Sequence, residues 1–174
     1  KRQQMYYAGN QVTGLFEFSK HYDPDRMLVL TPHVDGDEDF DRSAAFRPIR
    51  FRAPRGGGAG KLAGMFLMFY RTLFLVVFRG VREIHAGQIL SCGPIGWLFQ
   101  KVLGFPCFLW VYGGETTDAY KRSQVEERMI ARLLGGCTYL VTISPVVTRE
   151  FLDYGIPEER IIEIIPAVDA ETFA

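Results

Sequence analysis

Short, almost wholly apolar runs alternate along this chain with longer segments of helical period, and that alternation limits the fold more than any other feature. Runs of strand length are expected at Met27–Thr31, Arg47–Phe51, Glu83–Ala86, Cys107–Tyr112, Tyr139–Ile143 and Ile161–Ile165, with part of a first strand at Gln4–Ala8. Most are continuous Val, Ile, Leu and Phe, the pattern of strands covered on both faces of a parallel sheet. Helices are expected near Val12–His21, Lys61–Arg79, Ile89–Leu103, Gln124–Leu134 and Pro145–Tyr154. Successive βα units with right-handed crossovers predict an α/β fold: a Rossmann-like, doubly wound, mostly parallel sheet. Its 174 residues suit a single domain.

Local punctuation agrees. Ser144-Pro145 is an N-cap followed by proline at the first helical position, and Gly155 closes that helix. Gly135-Gly136 ends the preceding helix after Arg128 and Arg132, cations suited to a negative helix terminus. Ala53–Gly60, rich in glycine, reads as a loop.

Charge and cysteine usage exclude several classes. The formal net charge is zero, so no overall field draws the chain to nucleic acid or acidic lipid. Cys92, Cys107 and Cys137 are odd in number and widely spaced, which fits free thiols in a reducing compartment and places the protein in the cytoplasm. No secretory signal is visible. The chain opens at Lys1 rather than Met, and residues upstream are expected.

Two apparent motifs fail. Arg55–Leu62, RGGGAGKL, resembles a phosphate-binding loop, but it has arginine where glycine is needed and leucine where Ser or Thr would hold magnesium. Asp35–Asp41, DGDEDFD, puts Phe40 at the required glycine of a calcium loop and Phe46 at its bidentate glutamate, so a solvated acidic loop is expected. His33 and His85 are too isolated to be read as ligands, and no metal site is expected.

In open α/β sheets ligands bind outside the carboxyl ends of the strands. That rule gathers Gly9 and Asn10 after the first strand, His85 within and Gly87 after Glu83–Ala86, Gly113, Gly114 and Glu115 after Cys107–Tyr112, and Ser144 after Tyr139–Ile143. The glycines let backbone N–H groups approach a ligand, and Glu115 can accept from sugar hydroxyls or orient a reacting group. The same residues also serve as ordinary βα turns, with Glu115 as a helix start.

The segment Leu62–Phe78 is apolar almost all round, with a narrow polar edge near Gly64, Arg71 and Thr72. Its seventeen residues span roughly 26 Å, short of the ~20 residues of a membrane crossing, and Arg71 lies mid-span. Two readings stand: a helix packed between the sheet and a neighbour, or a docking element for a membrane or partner, with Lys61, Arg71, Arg79 and Arg82 as its cations.

Three stretches resemble glycosyltransferase family 4. Gly9–Pro32, GNQVTGLFEFSKHYDPDRMLVLTP, is similar to that family's opening glycine loop, helix and "VLTP" strand. Ile84–Glu115 is similar to its central stretch, ending in an H-G-x-E type motif. Leu140–Phe173, LVTISPVVTREFLDYGIPEERIIEIIPAVDAETF, resembles the run leading to "IPNGVD". The resemblance implies the amino-terminal, acceptor-side half of a GT-B architecture over residues 1–174, with a carboxyl-terminal donor domain absent. It further implies a retaining, nucleotide-sugar-dependent hexosyltransferase of glycan or glycolipid synthesis, inactive as this half alone. Glu115 and Tyr112 are then catalytic candidates, and Gly9, Asn10, His85, Gly87, Gly113, Gly114 and Ser144 contact substrate. No cofactor is expected on this half, the nucleotide-sugar donor belonging to the full-length enzyme. Its partners would be a sugar or lipid-linked acceptor and a membrane at its inner face. Tyr112 stands where the family has histidine, Asn10 where it has a second glycine, and Ala167 where asparagine is common. Two other classes compete: the nucleotide-binding domain of an oxidoreductase, for which Gly9 and Gly14 lack the fingerprint spacing, and a non-catalytic doubly wound interaction domain.

Overall fold

The structure, a computed structural model, describes residues 3–7, 23–44, 46, 48–54, 57–113 and 123–164. Seven strands form one sheet: β1 (Gln3–Tyr7), β2 (Met27–Pro32), β3 (Pro48–Phe51), β4 (Val81–Ala86), β5 (Cys107–Val111), β6 (Tyr139–Thr142) and β7 (Ile161–Glu163). Their order is β3-β2-β1-β4-β5-β6-β7, and every neighbouring pair is parallel. The direction of winding reverses beside β1, so the fold is Rossmann-like and doubly wound as expected.

Five α-helices lie among the described residues: α1 (Asp37–Ser43), α2 (Gly57–Arg79), α3 (Gly93–Leu103), α4 (Gln124–Gly136) and α5 (Pro145–Asp153). The two-residue period of the strands divides the core between the faces. Leu28, Leu30, Phe51, Ile84, Ala86, Leu109 and Leu140 pack with side chains of α2–α5 in one cluster. Met27, Val29 and Phe46 turn the other way, with Phe40 of α1 and Trp110 against them. The expected helix at Val12–His21 lies outside the described residues.

Three expectations need correction. Ala53–Gly60 is not all loop, because α2 begins at Gly57. Glycine in a helix costs about 1 kcal/mol each, but once the apolar segment after them is helical each residue added at its start gains a hydrogen bond. Asp35–Asp41 is not a solvated loop either, since Asp37 opens α1 and is buried. The cation at the end of α4 is neither Arg128 nor Arg132. Arg160, arriving from beyond α5, donates to Leu134 O at 3.0 Å, to Gly135 O at 3.2 Å and to Cys137 O. It satisfies carbonyls that the helix end leaves without partners.

Close approach explains two of the glycines. A Cβ on Gly96 of α3 would stand 2.7 Å from Cys107 Sγ, so that helix lies directly on β4 and β5. Gly113 has φ +95, and its Cβ would stand 3.2 Å from Val147 of α5. The three cysteines are free thiols as expected, and all three are buried, with Cys107 and Cys137 sulfurs 3.6 Å apart.

Candidate functional site

Because all strands run the same way, their carboxyl ends share one rim. Gly87 follows β4, Tyr112 and Gly113 follow β5, and Ser144 follows β6. Gly113 sits against the first turn of α5, so the β5 and β6 exits are in contact. Ser144 caps α5, its Oγ accepting from Val147 N–H at 3.4 Å and its carbonyl from Thr148 N–H at 3.1 Å. This is the N-cap that the Ser-Pro dipeptide predicts. Tyr112 is half-buried, its ring stacked 6.2 Å from that of Trp110. Gly9, Asn10, Gly114 and Glu115 lie outside the described residues.

His85 is placed differently from a residue of the open rim. It is buried within β4, and both ring nitrogens are engaged by protein groups. Trp110 Nε1–H donates to His85 Nδ1 at 3.1 Å, so the ring proton sits on Nε2 and faces Glu83 Oε1 at 2.7 Å. The imidazole stacks on Phe108 at 4.5 Å, and Phe108 stacks on Tyr139 at 5.0 Å. These three rings are register partners on β4, β5 and β6, so the ladder follows from strand pairing.

Burial lowers the His85 pKa from 6.5, and the Glu83 carboxylate opposes but does not reverse that shift. The folded state therefore binds a proton less readily than the unfolded chain. Its contribution to stability is complete above the unfolded value and is lost as pH falls through the folded one. Between about pH 7.5 and about pH 5.5 the wild-type melting temperature should fall more steeply than that of His85→Gln. Parallel pH profiles for the two proteins, measured by calorimetry, would refute this account of His85.

A second polar group lies at the β2 and β3 end of the rim, and sequence reasoning missed it. Asp37 Oδ2 accepts from His33 Nδ1 at 2.7 Å and from Val34 N–H at 3.0 Å, with Arg50 Nε at 3.4 Å. Arg50 also pairs with Asp41 at 2.6 Å and donates to Pro32 O at 3.1 Å. Burial pushes the Asp37 carboxyl up, but the Val34 N–H, His33 and Arg50 together outweigh it and hold the group below its ordinary value. His33 stays 40% exposed on its side chain, so a carboxylate-oriented imidazole faces solvent beside the rim. The available signal was the four-residue spacing of His33 and Asp37 across Gly36, whose φ of 85 starts the helix.

Among the described residues, no cluster of three or more His, Cys, Asp or Glu is placed to hold a metal ion. Lys61, Arg71 and Arg79 are exposed on α2. Arg82, on β4, donates to Val81 O at 2.8 Å and lies 5.4 Å over the Phe105 ring.

The sheet, its winding and its rim define a Rossmann-like, doubly wound domain. No protein-family model matches the chain, and no curated protein matches it. Solved structures do. HepE from Anabaena, in complex with UDP and glucose, superposes with a TM-score of 0.72 at 15% identity, covering 98% of this chain and 46% of that one. UDP-GlcNAc 2-epimerase from Methanocaldococcus jannaschii gives 0.63 at 10% identity, over 94% of this chain and 45% of the other. The Neisseria meningitidis UDP-GlcNAc 2-epimerase bound to UDP-GlcNAc gives 0.63 at 8% identity, over 94% and 46%. These likenesses are of fold, and the chain spans less than half the length of each protein it matches.

Proposed function

We propose that this domain is the acceptor-side, amino-terminal half of a GT-B enzyme that handles nucleotide-sugars. In our reading it is a retaining hexosyltransferase of the family 4 type, acting in the cytoplasm on a sugar or lipid-linked acceptor. The observation that carries the proposal is the parallel rim on which Gly87, Tyr112, Gly113 and Ser144 converge, in a fold that matches under half of proteins solved with UDP or a UDP-sugar. Open sheets bind ligands at that rim, and a second domain opposite it would close a cleft. Gly113 keeps the β5 exit free of a side chain, and the α5 N-terminus presents N–H groups and a positive dipole end toward the same side. Tyr112 stands where a hydroxyl could bind a sugar. Glu115, three residues on, is the carboxylate assigned to orient the acceptor.

The donor nucleotide belongs, in this proposal, to the other half. The 174-residue chain should therefore bind UDP-, GDP- and ADP-sugars weakly or not at all, read as absence of thermal stabilisation. Sub-micromolar affinity for any of them would contradict the assignment. In the two-domain enzyme, Tyr112→Ala and Glu115→Ala should each lower sugar transfer by about tenfold or more, the effect of losing a positioned polar group. Normal transfer by both variants would remove these residues from the site. The likeness to UDP-GlcNAc 2-epimerases favours one other reading, epimerisation of a UDP-sugar. Conversion of UDP-GlcNAc to its 2-epimer with no acceptor present would select it.

A further inference from the structure

Cys107 and Cys137 stand side by side inside the fold, and nothing in the proposed function uses them. Their sulfurs are 3.6 Å apart, with the Cys107 S–H donating to Cys137 Sγ, and both residues are buried. Strand pairing brings them together. Cys107 opens β5, where its N–H donates to Thr138 Oγ1 at 3.0 Å, and the β5–β6 ladder starts with Phe108 beside Tyr139. Cys137 is the C-cap of α4, directly before Thr138. From its other side Cys107 Sγ is crowded by α3, since a Cβ on Gly96 would stand 2.7 Å from it. The sulfur is therefore held toward Cys137 and not free to choose another direction. Buried cysteines are ordinarily small apolar fillers. Cys92 fits that description, and burial pushes its thiol pKa up to about 11.

The two thiols of the pair are not equivalent. The hydrogen bond from Cys107, helped by the positive charges of Arg160 and Lys101, holds Cys137 below the ordinary thiol value against the opposing effect of burial. Donating that hydrogen bond, together with burial, raises Cys107. We propose that Cys107 and Cys137 form a peroxide-reactive dithiol that closes to a disulfide, with Cys137 attacking and Cys107 resolving. The thiolate is the nucleophile, so Cys137 acts first. Its sulfur bonds to one peroxide oxygen, the O–O bond breaks, and the departing hydroxide takes up a proton as water. Cys107 sulfur then attacks the resulting sulfenic acid. The S–S bond forms, the S–O bond breaks, and the Cys107 proton leaves with that hydroxide as a second water. Two thiols lose two electrons and the peroxide gains them. Exchange with two equivalents of a small thiol reverses the bond, so in a reducing compartment it lasts only while oxidant is present.

The surroundings give a small oxidant a way in. α4 ends at Gly135 and Gly136, next to Cys137, and Gly135 is exposed, as is Lys101 near the end of α3. Helix ends open at little cost, and hydrogen peroxide needs only a small opening. A disulfide holds its sulfurs about 2.05 Å apart, so only ~1.5 Å remains to be closed from the 3.6 Å contact. A structural zinc is a poorer occupant. It needs four ligands, and among the described residues no three His, Cys, Asp or Glu are grouped to hold a metal. The bond would tie the start of β5 to the end of α4 across a separation of 30 residues. Both cysteines lie at the amino ends of their strands, away from the rim, so their chemistry does not depend on the sugar-transfer reading.

Treating the folded 174-residue chain with hydrogen peroxide tests the assignment. Trypsin digestion without reductant should then yield one linked pair, Val102–Lys121 with Leu133–Arg149. The pair should be about 2 Da lighter than the two free peptides together, the two hydrogens lost on forming the bond. Cys92 should remain free and be the one thiol that titrates after denaturation, and dithiothreitol should restore all three. A cross-link that fits the native fold constrains the unfolded chain, so oxidation should raise the melting temperature by at least about 4 °C. Cys107→Ala should stop the reaction at the Cys137 sulfenic acid, captured by dimedone. Cys137→Ala should slow oxidation of Cys107 by about tenfold or more. The wild-type peptide map decides the matter by itself if either variant fails to fold. Absence of the linked pair overturns the proposal, and so does a bond that includes Cys92. Linkage that forms only in urea would place the reaction in the unfolded chain and overturn it equally, as would a melting temperature lowered by oxidation.

Discussion

Phe151→Ala should lower the melting temperature by about 10 °C, the largest stability effect of any single truncation we expect. Phe151 is fully buried and, among the described residues, has the largest side chain of those sealed from solvent. It lies four residues after Val147, and this pair is the buried stripe of α5 against the sheet. The backbone around it cannot relax inward. Its carbonyl accepts from Ile156 N–H at 3.0 Å, and Gly155, with φ +79, turns the chain immediately after the helix. A phenyl ring removed from such a site leaves most of its volume as a cavity, at about 3–5 kcal/mol. In a chain of this length each kcal/mol shifts the melting temperature by roughly 2–4 °C. Leu152→Ala, one residue on but 41% exposed, is the control and should cost under ~1 kcal/mol. A loss below about 2 °C for Phe151→Ala would mean that α5 is not seated as described.

Two glycine substitutions should move stability in opposite directions. Gly96→Val places its Cβ 2.7 Å from Cys107 Sγ and 3.4 Å from Ile84 Cγ2. Cys107 is sealed from solvent and already in contact with Cys137, so its sulfur has nowhere to turn. α3 must move off the sheet, and the expected loss is about 3 kcal/mol. Gly64→Ala on α2 meets only Ala53 Cβ at 3.7 Å, an ordinary contact. It should gain up to ~1 kcal/mol, because alanine is the better helix former. Urea titration of both variants reads the two signs directly. A neutral Gly96→Val would contradict the close packing of α3 on β4 and β5.

How far the sequence could be read depends on which property decided each element. The strand set was legible because strands covered on both faces are short apolar runs bounded by turn residues, most plainly β2 and β5. Even so, β4 begins two residues before the expected start, at Val81, and β7 stops at Glu163. The faces of α2 were not legible. A helix apolar all round carries no periodicity to orient it, and Gly64 and Thr72 looked like a polar edge. In the structure they face inward, where small side chains let the helix approach the core, and Arg71 alone of that edge is exposed. The acidic stretch was misread for a related reason. Composition suggests solvation, but Asp37 is buried against His33 and Val34 nearby and against Arg50, which arrives from β3. At the rim the turn residues could be placed from strand ends alone. The engagement of His85 by Trp110 and Glu83 depends on register across β4 and β5, which no local pattern reveals.

The position of β1 in the middle of the sheet sets a problem for synthesis. Its first residue, Gln3, pairs toward β4 with Val81, so one flank of that strand waits until a further 78 residues have emerged (81 − 3 = 78). At ~5–20 residues per second that interval lasts roughly 4–16 s, during which the strand's hydrogen-bonding groups lack their permanent neighbour. An open strand flank is a template for pairing with other nascent chains. Yield in a cell should therefore respond to translation speed and to chaperone supply more sharply than the stability of the finished domain suggests.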